Sequence, residues 1–119
     1  MAEAKTHQGG CHCKRVRYEV TGDFSVAMEC NCSYCSIKGL LIAPAQPDNF
    51  KLLQGEENLA EYQFYKHRIH HSFCKTCGTQ AFARGIGRNG EPMMAINVRS
   101  LDGIDLATLE RKPFDGRAM

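Results

Sequence analysis

The sequence predicts a mainly β protein. Residues 16–20 alternate apolar and polar side chains and include β-branched and aromatic residues, which is typical of a strand with one buried face. Several further segments of this kind are separated by turn-prone residues, and signals for helices are sparse. A chain of 119 residues has the length of one domain. We therefore expect a single domain over residues 1–119, with a flexible segment at about residues 1–8.

The predicted elements follow in chain order. Gly22 and Asp23 end the first strand, and the later strands are expected at residues 50–53, 60–65, 80–83 and 94–98. Residues 54–56 and 88–90 are the turn-prone separators, with Asn89 and Gly90 at a hairpin tip. One short helix is expected around residues 105–110, with Asp105 as its N-cap and Pro113 blocking its continuation.

Seven cysteines form three short clusters, which are Cys11 and Cys13, then Cys30, Cys32 and Cys35, then Cys74 and Cys77. Ligands this close in sequence can chelate one ion with little loss of loop-closure entropy, so zinc binding is the first interpretation. If the middle cluster holds one ion, the four remaining cysteines form a complete tetrahedral set for another. Closed four-thiolate sites are structural, whereas a three-ligand site leaves a position for water or substrate. The counting therefore predicts one structural and one catalytic zinc.

Other uses of the cysteines remain open at this point. Disulfides are disfavoured because residues 1–10 lack an apolar secretory segment, which predicts the reducing cytoplasm, and because an odd number leaves one cysteine unpaired. His70 or His71 would turn the three-cysteine site into a closed, structural one. An ordinary zinc ribbon would join the two Cys-x-x-Cys segments and leave three cysteines without a role.

Local spacing adds detail to the zinc interpretation. Residues 74–78 have the form of a zinc knuckle, in which Gly78 is expected to take a positive φ so that backbone amides point at sulfur. Cys11 and Cys13 would share one side of an extended chain, and His12 would point away from the metal.

Charge and hydropathy exclude several classes of partner. The net charge is +2 with both signs interspersed, which gives no nucleic-acid footprint, and the longest apolar stretch, residues 40–45, is too short to cross a membrane. Zinc nucleobase deaminases need His-x-Glu and Pro-Cys-x-x-Cys, which this chain lacks. Three thiolates leave zinc electron-rich, which favours a substrate thiolate as fourth ligand over hydrolysis.

Five segments together resemble the glutathione-dependent formaldehyde-activating enzyme family, which includes centromere protein V. They are residues 9–19, 30–35, 73–79, 97–101 and 114–117. The resemblance implies a β-tent fold of twisted antiparallel sheets, with the cysteine clusters at strand ends and turns. It implies a structural zinc on four cysteines and a catalytic zinc on three, in the same partition as the counting: Cys11, Cys13, Cys74 and Cys77 in the first set, and Cys30, Cys32 and Cys35 in the second.

The resemblance also implies carbon–sulfur lyase activity, the reversible addition of glutathione to formaldehyde that gives S-(hydroxymethyl)glutathione. In the expected mechanism, glutathione displaces water from the catalytic zinc, its thiol ionises there, and the sulfur adds to the aldehyde carbon. The competing hypothesis is a non-catalytic protein that carries glutathione or is a zinc-stabilised module for chromatin or another protein.

Residues outside the cysteine clusters give weaker signals. Three cationic residues are candidates for binding the carboxylates of glutathione, namely Lys38, Arg68 and Arg84. Ser33 and Tyr34 lie between metal ligands and are candidates for lining the open position. A histidine cluster is a candidate acid–base group: His67, His70 and His71. Phe64, Tyr65 and Phe73 are expected in the core.

Overall fold

The computed structural model describes residues 5–63, 69–86 and 90–114, which form ten strands and one α-helix. In chain order the elements are β1 (Lys5–Gly10), β2 (Arg17–Gly22), β3 (Val26–Cys30), α1 (Ser33–Lys38), β4 (Leu41–Ala45), β5 (Phe50–Gln54), β6 (Leu59–Tyr62), β7 (Ile69–Cys74), β8 (Phe82–Ile86), β9 (Pro92–Asn97) and β10 (Glu110–Phe114). Short 3-10 helices occupy Pro47–Asn49, Glu56–Asn58 and Val98–Ser100. The predicted mainly β class is confirmed.

The strands form two sheets. The smaller sheet has the order β1-β2-β5, and the larger one has the order β10-β3-β4-β9-β8-β7-β6. Every strand pair is antiparallel except β3 and β10, which pair in parallel. The expectation of antiparallel sheets therefore needs one correction, because the last described strand closes the edge of the large sheet alongside β3.

The predicted strands at residues 16–20, 50–53 and 94–98 correspond closely to β2, β5 and β9. The strand expected at residues 80–83 begins two residues later as β8. The strand expected at residues 60–65 corresponds to β6, and residues 64 and 65 lie outside the described residues, as does Asn89. The predicted helix around residues 105–110 is wrong. The Asp105 carboxylate does accept a hydrogen bond from the Ala107 amide at 3.0 Å, but only a turn forms before β10 begins.

Two features near the N-terminus and the middle cysteines were not predicted. Strand β1 begins at Lys5 and pairs with β2 along its whole length, so regular structure starts inside the segment expected to be flexible. The α-helix of the described chain is α1, which lies within the middle cysteine cluster. Nowhere in the described residues is a helix long and apolar enough to span a membrane.

Aromatic side chains join the two sheets. Tyr18 of the small sheet and Phe82 of the large sheet are both fully buried, and their ring centroids lie 5.8 Å apart at a steep angle. Phe50 contacts both rings, at 5.4 Å from Tyr18 and 4.7 Å from Phe82. The buried Tyr18 hydroxyl lies 2.7 Å from the Ser100 hydroxyl, which satisfies its hydrogen-bonding capacity. This packing defines the core between the sheets.

The register of the large sheet separates its two faces, because paired residues share a face and successive residues alternate. Ser72, Phe82 and Ile96 follow one another across the strands on the face that packs against the small sheet, which we call the core face. His71 and Ala83 pair on the opposite face, which we call the outer face. Any residue of the large sheet can be assigned to one of these faces.

Candidate metal centres

The first cluster brings together the two outermost cysteine groups of the sequence. The sulfur atoms of Cys11, Cys13, Cys74 and Cys77 all lie within 4.8 Å of one another. The Cys11 and Cys13 sulfurs are 3.6 Å apart, and those of Cys13 and Cys74 are 3.7 Å apart. Four sulfurs bound tetrahedrally to one zinc ion at the usual bond length would lie about 3.8 Å apart. The donor set therefore fits a closed tetrahedral zinc site, which we call the four-cysteine cluster.

Two tight turns present these sulfurs. Cys11 follows β1 directly, and its sulfur accepts a hydrogen bond from the Val16 amide at 3.3 Å. Cys74 ends β7, and its sulfur accepts one from the Asn58 side-chain amide at 3.1 Å. Sequence reasoning missed Asn58, because nothing local links a residue of the 3-10 helix Glu56–Asn58 to a cysteine in β7. His12 is exposed and does not belong to the cluster.

The turn at residues 74–78 has the predicted backbone but not the predicted hydrogen bond. Gly78 has a φ of 79°, as expected, but its amide donates to the Cys74 carbonyl oxygen at 2.8 Å rather than to sulfur. Thr79 takes over the role of stabilising sulfur. Its hydroxyl oxygen lies 3.4 Å from the Cys77 sulfur, and hydrogen bonding from this hydroxyl lowers the pKa of Cys77 to about 5. This turn therefore favours a thiolate, the form that binds metal.

The second cluster comprises Cys30, Cys32 and Cys35, whose sulfurs also lie within 4.8 Å of one another. Cys30 ends β3, Cys32 is the N-cap residue of α1, and Cys35 lies within that helix. The Cys32 sulfur accepts a hydrogen bond from the Cys35 amide at 3.3 Å, so one atom serves as helix cap and as metal donor. No histidine or carboxylate in the described parts of the chain joins this three-cysteine cluster.

The sulfurs of the three-cysteine cluster are costly to charge without a cation. Burial raises the pKa of the Cys30 thiol and raises that of Cys35 more strongly. Burial also disfavours charge on Cys32, but hydrogen bonds from Cys35 outweigh it and lower the pKa of Cys32. A bound divalent cation would offset the cost of ionising all three sulfurs. The donor set is soft and incomplete, so it fits a zinc ion that keeps one position for another ligand.

The two clusters lie on opposite faces of the large sheet. Cys74 is two residues beyond Ser72 in β7 and therefore shares the core face. Ala95 is on the outer face and pairs with Pro44 of β4, so Ile42, two residues earlier in β4, is on the outer face too. Ile42 pairs with Met28 of β3, and Cys30, two residues beyond Met28, therefore also lies on the outer face. The two Cys-x-x-Cys segments therefore belong to different clusters, so the zinc-ribbon alternative does not apply. All seven cysteines are described, and none is in a disulfide bond.

Aromatic and polar side chains surround helix α1 on the outer face. The Tyr34 ring stacks on Tyr62 with centroids 5.5 Å apart and lies 4.1 Å from the His71 ring. Its hydroxyl donates a hydrogen bond to Oε1 of Gln80, a buried residue that sequence reasoning did not select. The Lys38 ammonium lies 5.4 Å from the Tyr34 ring centroid. Tyr34 and Lys38 thus lie next to the three-cysteine cluster, as their positions in the sequence suggested.

The other sequence candidates lie elsewhere or are not described. Arg84 is on the core face, with its guanidinium 5.7 Å from the Phe82 ring centroid, so it is remote from the three-cysteine cluster. His70 Nδ1 lies 2.9 Å from Glu61 Oε2 in an exposed pair, and neither His70 nor His71 joins a cysteine cluster. Phe73 is half-buried rather than part of the core. Phe64, Tyr65, His67 and Arg68 lie outside the described residues.

Comparisons with known proteins agree with this architecture. The family described as glutathione-dependent formaldehyde-activating enzyme matches residues 6–113 of the chain. A crystal structure of a Rhodobacter sphaeroides protein, a Northeast Structural Genomics target, is similar in sequence and fold. The two chains are 33% identical, the match covers 89% of this chain and 97% of the other, and the TM-score is 0.79. This chain therefore belongs to the glutathione-dependent formaldehyde-activating enzyme family.

Proposed function

We propose that this protein is a zinc-dependent carbon–sulfur lyase that adds glutathione to formaldehyde and releases S-(hydroxymethyl)glutathione. In this reaction the glutathione sulfur forms a bond to the carbonyl carbon. The C=O double bond becomes a single bond, and the thiol proton ends on that oxygen. Atoms and charge balance without an oxidant or reductant, and breakdown of the adduct follows the same steps in reverse.

The observation that carries the proposal is the convergence of three sulfurs without a fourth protein donor among the described residues. A zinc ion held by Cys30, Cys32 and Cys35 would supply one further coordination position, at which a substrate thiol could lose its proton. The four-cysteine cluster has its full set of donors and is assigned a structural zinc. The expected content is therefore two zinc ions per chain.

The side chains around the cluster suit an anionic thiol. Glutathione carries two carboxylates, and the exposed Lys38 extends from the helix that also bears Cys35. Its ammonium lies over the faces of Tyr34 and Phe73, at 5.4 and 6.0 Å from their centroids. These contacts favour one direction for a long, flexible side chain and keep its charge near the cluster. We assign Lys38 to a glutathione carboxylate.

The cysteine chemistry also bears on where the protein acts and on which partners it meets. Zinc–thiolate sites require reduced cysteines, which agrees with a cytoplasmic location. The partners we propose are a small-molecule thiol and an aldehyde, with no nucleic acid or membrane involved.

A kinetic assay with metal analysis tests the function. Because glutathione and formaldehyde also react without protein, their exchange with the adduct is measured by NMR with and without enzyme, in the same zinc concentration. The wild type should accelerate exchange and contain about two zinc equivalents. Cys35→Ala should remove the acceleration, whereas Ser36→Ala, an exposed change on the same helix, should not. Two bound zinc ions without acceleration would contradict the lyase assignment and favour a glutathione carrier.

A further inference from the structure

Helix α1 is held in place without packing into the core. None of its six residues is buried. A helix this short is not stable by itself, so its position must come from capping and from a few specific contacts. At its C-terminal end, the Arg99 guanidinium donates to the Gly39 carbonyl oxygen at 3.2 Å. At its N-terminal end, the long side chain that reaches the body of the protein is Tyr34.

Tyr34 is bonded to a buried side chain that is itself fixed. Gln80 is only 4% exposed, and its backbone oxygen accepts a hydrogen bond from the Asn97 side-chain amide at 2.8 Å. Both the oxygen and the nitrogen of the Gln80 side-chain amide have hydrogen-bond partners. Oε1 accepts from the Tyr34 hydroxyl, and Nε2 lies 3.3 Å from His71 Nδ1. Nothing in the sequence joins these residues, since Tyr34 and Gln80 are 46 positions apart.

The hydrogen bonds of this group run from the Tyr34 hydroxyl to Gln80 and from Gln80 to His71. Burial lowers the pKa of His71 to about 4, so its imidazole is neutral at neutral pH. The Gln80 amide nitrogen can only donate, so it donates to Nδ1, and the imidazole proton is on Nε2. The amide oxygen then faces Tyr34, whose hydroxyl must donate to it. Gln80 therefore links His71 to Tyr34, and its side-chain oxygen fixes the position of the Tyr34 hydroxyl.

We propose that Gln80 is a positioning residue, which holds Tyr34 and through it directs the sulfurs of Cys32 and Cys35 toward Cys30. Tyr34 lies between the two cysteines in the first turn of α1, so its side chain anchors the backbone that carries both sulfurs. Stacking on Tyr62 alone would let the Tyr34 ring shift parallel to the Tyr62 ring. The hydrogen bond to Gln80 fixes the position of the Tyr34 hydroxyl. The inference rests on the proposed function only in requiring that the three-cysteine cluster binds metal.

A double-mutant cycle on metal affinity tests the inference. Wild type, Gln80→Leu, Tyr34→Phe and the double variant are titrated with Co²⁺ against a chelator, and the thiolate absorption bands report binding at each cluster. Each single variant should weaken the three-cysteine cluster about tenfold, as loss of a supporting contact around metal ligands commonly does. The double variant should be no weaker than either single variant, since both changes break the same connection. The four-cysteine cluster is the internal control.

Two further variants separate positioning from general stability. Tyr18→Phe removes a buried hydroxyl contact of the core, so it should lower the unfolding temperature and leave the affinity of the three-cysteine cluster unchanged. Gln80→Glu keeps an acceptor for Tyr34, so it should restore an affinity close to that of the wild type. Its second oxygen faces His71 Nδ1, so histidine ¹⁵N NMR should show His71 protonated at a higher pH than in the wild type.

The outcomes are distinct. A wild type that binds metal only in the four-cysteine cluster would overturn the proposed catalytic site and this inference with it. Normal two-site binding with unchanged affinity in Gln80→Leu would overturn the inference alone. Additive effects in the cycle would also overturn it, because Gln80 would then act independently of Tyr34. If Gln80→Leu does not fold, Gln80→Glu and Tyr34→Phe decide: high affinity for the first with low affinity for the second supports positioning, and any other combination contradicts it.

Discussion

Removing two ligands from the four-cysteine cluster should destabilise the protein more than removing two from the three-cysteine cluster. Cys13 and Cys74 are 61 positions apart, so a metal in their cluster closes a long loop. Cys30 and Cys35 are five positions apart in the sequence. If each bound metal is treated as a crosslink, the chain-entropy relation gives about 4 kcal/mol for the long loop and about 2 kcal/mol for the short one. The expected difference is therefore about 2 kcal/mol.

The comparison uses two matched double variants, Cys74→Ser with Cys77→Ser and Cys32→Ser with Cys35→Ser. Each replaces two sulfurs by two hydroxyls. The free energy of unfolding is measured by urea titration, with circular dichroism as the signal, in excess zinc and again in excess chelator. Cys74 is buried, so its replacement by serine also carries the cost of burying a hydroxyl, and this cost is present in chelator as well as in zinc. For each variant the free energy of unfolding in chelator is therefore subtracted from that in zinc, and only this zinc-dependent difference is compared. An equal or larger zinc-dependent loss for the Cys32 and Cys35 variant would refute the structural role of the four-cysteine cluster.

Three further predictions concern single residues. Gly55→Ala should lower the free energy of unfolding by about 2 kcal/mol or more, because φ is +95° and the new Cβ would lie 2.3 Å from a backbone oxygen. At Gly103 φ is also positive but the space is open, so Gly103→Ala should cost about half as much in the same urea titration. Burial lowers the pKa of His71 from 6.5 to about 4, so the unfolded chain binds a proton at this residue more tightly than the folded one. The contribution of His71 to stability should therefore fall as the pH drops from about 6.5 to about 4. Histidine ¹⁵N NMR should find His71 neutral at pH 5.5, and half-protonation near pH 6.5 would contradict its burial. Lys38→Glu should raise the KM for glutathione roughly fivefold with little change in kcat, as expected for losing an exposed ion pair. Lys51→Glu on the small sheet should change neither constant. Equal effects of the two substitutions would refute the assignment of Lys38.

The predictable parts of the fold are those with a local signal. Strand β2 shows strict alternation with aromatic and β-branched residues, and its core position follows from that pattern. Helix α1 lacks such a signal because it has no buried face, and its N-cap is a cysteine sulfur rather than an ordinary capping side chain. The helix expected near Asp105 failed for the opposite reason. Asp105 does accept a hydrogen bond from a following amide, but it begins a turn rather than a helix, because pairing of β10 with β3 takes the residues from Glu110 onward into a strand.

The candidate sites divide in the same way. The grouping of the cysteines follows from counting ligands. The three donors of one cluster are close together in the sequence, and the four cysteines that remain form the other cluster. Asn58 and Gln80 could not be found from sequence, because each reaches its partner only after strands distant in the chain have paired. Arg84 was a candidate in the sequence because charge alone does not say on which face of a sheet a residue lies. The register decides that, and it puts Arg84 on the core face.

The absence of buried side chains in α1 bears on how far the surface beside the three-cysteine cluster can vary. Ser33, Ser36 and Ile37 are all exposed, and Ile37 is 87% exposed although it is a large apolar residue. Substitutions at such positions usually change the free energy of unfolding by less than about 0.5 kcal/mol. The residues closest in sequence to the sulfurs of the three-cysteine cluster can therefore vary with little loss of folding free energy. Evolution or a selection experiment can sample many surfaces beside this cluster while the aromatic core and the four-cysteine cluster on the opposite face of the large sheet remain the same.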